Sequence, residues 1–154
     1  MEEVNLYVLT NVRGPRRQDG AGMYLLEART QTGATVTRNK TVLLEDTTEN
    51  QLTLKLLEEA MGRINRPVRL TIWLDCKYVA AALKQEWPQK WEKTAWMNEK
   101  GRPVADAEKW QSVLVRIRLH EIFVVVSERH EYWNWMAREL AKVALVQQKE
   151  EKNV

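Results

Sequence analysis

Along the first third of the chain the apolar residues fall in short β-prone runs rather than at helical spacing. VNLYVLT (4–10) is nearly continuous, the pattern of a strand covered on both faces. Gly14, Pro15, Gly20 and Gly22 read as a turn-rich loop after it. MYLLEAR (23–29) and TVTRNKTVLLE (35–45) predict two further strands with Thr32 and Gly33 as the turn between them, and three strands joined so closely make an antiparallel meander. At Thr48 the period changes: Leu52, Leu56, Ala60 and Ile64 recur at helical spacing behind a Thr48/Gln51 capping pair. Past Pro67, VRLTIWLD (68–75) alternates apolar and polar residues and predicts a fourth strand ending on Asp75. CKYVAAALKQEW (76–87) continues as a short helix, followed by a Trp- and Lys-rich stretch up to Gly101. Pro103 opens a helix with Trp110, Val113, Leu114 and Ile117 along one side. HEIFVVVSE (120–128) is the most β-branched run and predicts the fifth strand. A last helix from about Trp133 to Gln147 turns Trp133, Met136, Leu140, Val143 and Ala144 inward, and residues 148–154 are expected to form a frayed polar tail.

Three strands, a helix, a strand, helices, a strand and a helix call for an α/β fold, a mixed sheet with helices on both faces. No internal repeat or second apolar block breaks the pattern, so residues 1–147 are expected to form one domain. A length of 154 residues suits that reading and allows about two thirds of the chain's surface to be buried. With 44% hydrophobic and 29% charged residues, the composition excludes a disordered chain. No apolar run reaches the roughly 18 residues of a membrane span. The acidic start MEEVNLYVLT argues against export, and the lone Cys76 fits a reducing compartment, so a cytoplasmic location is expected. A net charge of +3 is too small to demonstrate a polyanion partner. Composition does single out tryptophan: seven against one phenylalanine, with Trp87, Trp91, Trp96 and Trp110 in one stretch.

The junction residues resemble the ribonuclease H type 1 family over nearly the whole chain. LDCKYVAAAL is similar to the family's fourth strand and helix, with Asp75, Tyr78 and Val79 matching its T-D-S-x-Y-V motif. The stretch from Trp87 to Val113, with tryptophans at 87, 91, 96 and 110, resembles the family's basic handle, placed here at about 84–102. TTENQLTLKLLEEA (47–60) is similar to T-T-N-N-R-x-E-L, and NWMARELAKVA (134–144) to N-x-x-C-D-x-L-A-x-x-A. The resemblance implies a five-stranded ribonuclease H-like sheet in the order βββαβααβα. In family members that cut, it also implies hydrolysis of RNA paired with DNA by a carboxylate cluster holding two magnesium ions. Clustered carboxylates are needed because two dications about 4 Å apart repel each other.

Three of the four carboxylate positions that the resemblance implies carry other residues: Asn11, Thr53 and Arg138, with Asp75 alone retained. An amide and a hydroxyl are weak neutral ligands, and Arg138 brings positive charge to the place of a metal. Glu49, one helical turn before Thr53, lies about 6 Å along the axis, and Glu139 points away around its helix. Asp75 is then expected to cap the following helix or pair with Arg138. Arg138 and Asn134, four apart, share a helix face suited to a phosphate. Arg13, Arg16 and Arg17 form a basic cluster beside the expected groove. Asn50, Gln51 and Lys77 flank it, and the handle adds Trp87, Lys90, Trp91, Lys93, Trp96, Lys100 and Arg102. Handle charge is modest, five basic residues against three acidic between Lys84 and Arg102, and the first tryptophans also suit packing of the handle on the body. His130 reads as a surface residue.

These readings favour a ribonuclease H-like domain that binds a hybrid or duplex without cutting and needs no cofactor. Two alternatives stand beside it. One is a structural domain with a protein partner or a second copy of itself; the other is an active, magnesium-dependent hybrid ribonuclease with substitute ligands.

Overall fold

The computed structural model describes residues 1–127 and 129–152, with the backbone alone for 145 and 147–152. Strands β1 (Glu3–Thr10), β2 (Gln18–Arg29) and β3 (Thr35–Thr47) form the meander, and α1 (Glu49–Met61) leads to β4 (Arg69–Leu74). Helices α2 (Lys77–Lys84), α3 (Trp87–Lys93) and α4 (Ala107–Ile117) precede β5 (Glu121–Val126), and α5 (Trp133–Lys152) follows. The sheet order is β3-β2-β1-β4-β5, with β1, β4 and β5 parallel and the other pairs antiparallel. The expected mixed sheet of five strands is present.

Alternation along β1 explains why both faces are covered. Val4, Leu6 and Val8 join Leu70, Ile72 and Leu74 of β4 in a core with Leu52, Leu56, Trp110 and Val113 of α1 and α4. Tyr7 and Leu9 point the other way, into a smaller core with Met136 and Leu140 of α5. Among the described residues no helix is long and apolar enough to cross a membrane.

Several boundaries differ from the sequence reading, each for a tertiary reason. Gly20 and Gly22 lie inside β2, which begins at Gln18 rather than Met23. Both mark close approach rather than a turn. A Cβ on Gly20 would lie 2.0 Å from Val12 Cγ2, and one on Gly22 would lie 2.5 Å from Leu56 Cδ1. The Thr48 hydroxyl accepts from the Gln51 amide at 3.2 Å as the capping pair predicts, but α1 stops at Met61 and half-buried Ile64 packs from beyond it. The helix expected over 76–87 ends at Lys84, because Glu86 takes φ +56° before a separate helix, α3, begins at Trp87 in the Trp- and Lys-rich stretch. Pro103 bridges to Met97 instead of opening α4, which starts at Ala107. Helix α5 runs past Gln147 to Lys152. Glu128, the last residue of the expected β5, and residues 153–154 lie outside the described residues.

Candidate functional site

Asp75 follows β4 at the carboxyl end of the parallel strands, where open α/β sheets place their ligands. The N-cap residue of α2 is Cys76 rather than Asp75, and the Cys76 side chain makes no cap bond. The guanidinium that meets Asp75 is that of Arg13, where the sequence pointed to Arg138. Arg13 Nη2 lies 2.5 Å from Asp75 Oδ2. Its Nη1 donates to Thr10 Oγ1 at 3.1 Å and to the Val12 carbonyl at 3.2 Å, and lies 3.7 Å from Glu49 Oε2. The loop after β1 is strapped to the start of α1 as well, since Gly14 N–H donates to Glu49 Oε1 at 3.0 Å and Glu49 N–H to the Gly14 carbonyl at 3.3 Å. One cation therefore bridges the end of β4 and the first turn of α1.

Other residues of the expected carboxylate positions are engaged elsewhere. Asn11 Oδ1 accepts from the Ala21 amide at 2.9 Å, which extends the β1–β2 pairing. Thr53 is buried and its hydroxyl donates to the Glu49 carbonyl at 2.8 Å, a bond back along its own helix. Arg138 and Asn134 are exposed on α5. Cys76 is buried beside Asn50, to whose Oδ1 its Sγ donates at 3.2 Å. Burial, reinforced by the charge of Glu49, pushes the thiol up to about 11. Among the described residues no three His, Cys, Asp or Glu side chains gather as a metal-binding set.

The handle forms a second feature. Trp91 sits at its centre, with ring centroids 6.2 Å from Trp87, 6.3 Å from Trp96 and 5.6 Å from fully buried Trp110. Trp87, Trp91 and Trp96 are half-buried, and these ring contacts pack the handle against the body. Ala95 and Trp96 both take positive φ, 53° and 62°, and the Trp96 amide donates to the Trp91 carbonyl at 2.7 Å. The reversed chain forms a small hairpin in which Asn98 Oδ1 accepts from the amides of Lys100 and Arg102, each at 3.0 Å. An open groove of about 730 Å³ is lined by Tyr78, Trp87, Trp91 and Met97 together with Lys90 and Lys100. Lys93 and Arg102 are exposed nearby in sequence. Glu92, one of the three handle acids, is paired with Arg118, whose hydrogen bonds hold its carboxyl below the usual range.

The remaining expected contacts divide. Arg16 and Lys77 are exposed, whereas Arg17 is tied to Asp46, donating to its carbonyl at 2.7 Å. Gln51 donates to Asp106 Oδ1 at 2.9 Å. His130 is not a surface residue: it is half-buried, 4.4 Å from the Tyr7 ring, its Nδ1 accepts from the Tyr132 amide, and burial lowers its pKa. Glu49 was legible as an acid in a first helical turn, but its meeting with Arg13 depends on the path of the loop.

The family model for RNase H matches residues 1–145, and the chain belongs to that family. Its similarity to individual curated relatives is partial. It is 30% identical to the Ribonuclease H of Caldicellulosiruptor saccharolyticus over 78 residues, 51% of this chain and 54% of that protein. It is 33% identical to the Ribonuclease H of Acidovorax sp. strain JS42 over 90 residues, 58% of this chain and 55% of that protein. The chain thus spans about half the length of the curated relatives it matches. Among solved structures, LC9-RNase H1, a type 1 RNase H with the type 2 active-site motif, superposes with a TM-score of 0.74 at 21% identity, covering 96% of this chain and 74% of that one. A foamy viral protease-reverse transcriptase in complex with RNA/DNA hybrid gives a TM-score of 0.61 at 17% identity, covering 88% of this chain and 19% of that one. The fold is that of RNase H.

Proposed function

We propose that the chain binds a nucleic-acid duplex, foremost an RNA/DNA hybrid, through its backbone and without two-metal hydrolysis. The observation that carries this reading is the Arg13 guanidinium 2.5 Å from Asp75. It brings a fixed positive charge to the one carboxylate retained at the four expected positions. The donors do not fit a pair of magnesium ions: Asn11 and Thr53 offer neutral oxygens already engaged in hydrogen bonds, and Arg138 offers none. Arg13, Arg16, Arg138 and Asn134 are the groups we assign to phosphate contact on this side, with Lys90, Lys93, Lys100 and Arg102 as the handle's contribution. Asn50, Gln51 and Lys77 border this surface, while Trp87, Trp91 and Trp96 act by holding the handle in place. Support comes also from the foamy viral relative solved with RNA/DNA hybrid and from a second solved with dsDNA.

A second reading, hydrolysis of the hybrid with substitute ligands, is favoured by the naming of the curated relatives and by Glu49 lying near Asp75 across Arg13. One experiment separates the two. A labelled hybrid is titrated with and without magnesium, and the products are run on a denaturing gel. Salt-sensitive binding that EDTA leaves unchanged, with intact strands, is the expected result. Magnesium-dependent cleavage abolished by Asp75→Asn would establish the second reading, and no binding at low salt would end both.

A further inference from the structure

The opposite end of the sheet holds charge for which the Asp75 face has no use. A cavity of about 600 Å³ opens where β1 begins, β2 ends and α1 runs out. Arg29, Arg38, Arg63 and Arg66 line it, against Glu2 as its single carboxylate. Arg66 Nε donates to Glu2 at 2.6 Å, while Arg29, Arg38 and Arg63 have no carboxylate at ion-pair distance among the described residues. Arg63 sits 5.7 Å above the buried Tyr24 ring, an aromatic seat for one guanidinium. The lining thus carries a net +3, as much as the entire chain, whose remaining charges balance. Its floor is apolar, formed by Val4, Leu26 and Ile64. At about 3.3 Å per residue along β1, Val4 lies roughly 23 Å from Asn11, so this cavity is separate from the surface around Asp75.

We infer that this cavity binds a phosphorylated small molecule with an apolar or aromatic body, in size and charge a nucleoside polyphosphate. Guanidinium groups recognise phosphate oxygens in pairs, and several on one wall match the several charges of a polyphosphate chain. The volume lies in the range of ordinary ligand sites, and an apolar floor accepts a base. A nucleic-acid strand carries one charge per nucleotide, spread along its length, and presents to a cavity of this size only one or two of them.

The test uses the full chain, with ATP and inorganic triphosphate titrated by calorimetry at fixed ionic strength without magnesium. Saturable one-to-one binding of ATP, tighter than that of triphosphate, is expected. The double variant Arg38→Gln, Arg63→Gln should weaken it at least about tenfold while changing affinity for a labelled duplex by less than about twofold. If that variant fails to fold by circular dichroism, Arg38→Lys with Arg63→Lys keeps the charge, loses the fork, and should weaken ATP several-fold. Absence of saturable binding, equal ATP affinity in wild type and variant, displacement of ATP by a short oligonucleotide, or a parallel loss of duplex affinity would each overturn the inference. Absence of nucleotide binding leaves the reading of the Asp75 face standing, whereas displacement by an oligonucleotide or a parallel loss of duplex affinity would move the duplex itself to this cavity.

Discussion

Arg13 and Asp75, 62 positions apart in sequence, meet at 2.5 Å between Nη2 and Oδ2, and the same guanidinium lies 3.7 Å from Glu49. The pair ties the loop after β1 to the end of β4. Arg13 is half exposed but the Asp75 side chain is only 10% exposed, so removing the cation leaves a largely buried carboxylate with less compensation. Arg13→Gln should cost about 1–2 kcal/mol at neutral pH, between the ranges for exposed and buried pairs. Urea midpoints at unchanged slope will measure it.

Trp91 is the ring on which the handle depends. It touches Trp87, Trp96 and buried Trp110, so Trp91→Ala empties the joint between α3 and α4. The expected loss is about 2–4 kcal/mol by denaturant unfolding, within the span seen for large aromatic truncations. An unchanged midpoint would mean that the handle is seated by its backbone hairpin instead.

Gly22 offers a test of close approach inside a strand. A methyl group there meets Leu56 Cδ1 at 2.5 Å in the main core, so α1 must move off the sheet or Leu56 must leave its rotamer. Gly22→Ala should destabilise by about 1–3 kcal/mol. At Gly33, where φ is +84° and nothing stands within 4 Å of a Cβ, substitution by alanine should act through backbone strain alone.

The Cys76 thiol sets a dependence on alkaline pH. Unfolded, it loses its proton near 9; folded, burial and the nearby Glu49 charge hold the proton to about 11. Above pH 9 the unfolded chain therefore binds fewer protons than the folded one, and stability falls as pH rises from about 9 through 11. The loss is on the order of 2 kcal/mol and should be absent in Cys76→Ser. Thermal midpoints of both proteins at pH 7.5 and 10 will check this, and a thiol reagent at pH 8 should label the native protein only slowly.

Lys90 and Lys100 line the handle groove with Trp87 and Trp91. If both meet duplex phosphates, Lys90→Gln with Lys100→Gln weakens binding across sequences and flattens the log–log salt dependence by about 2, near 0.9 for each phosphate lost. Fluorescence anisotropy at four salt concentrations will give the slope. No change in slope would place the duplex away from the handle.

Much of the fold is decided by local pattern. The nearly continuous apolar run VNLYVLT, the alternation over RLTIWL, the period change at Thr48 and the β-branched run at IFVVV state which faces of each element must be dry, and a mixed sheet covered on both sides follows from their order. The residue types at positions 11, 53, 75 and 138 are likewise set by the sequence, and with them the supply of carboxylates. Tertiary structure decided the contacts that depend on the path of a loop or on steric approach between distant segments. Gly20 and Gly22 look like turn residues until Val12 and Leu56 are packed against them. Arg13 looks like one of three arginines of a basic cluster until the loop folds back to Glu49 and its guanidinium reaches Asp75. Arg29, Arg38 and Arg63 are unremarkable singly and become one cavity only when β2, β3 and the end of α1 are brought together. Periodicity records which way a side chain faces within its own element; which side chain it then meets depends on a second element placed by the whole sheet.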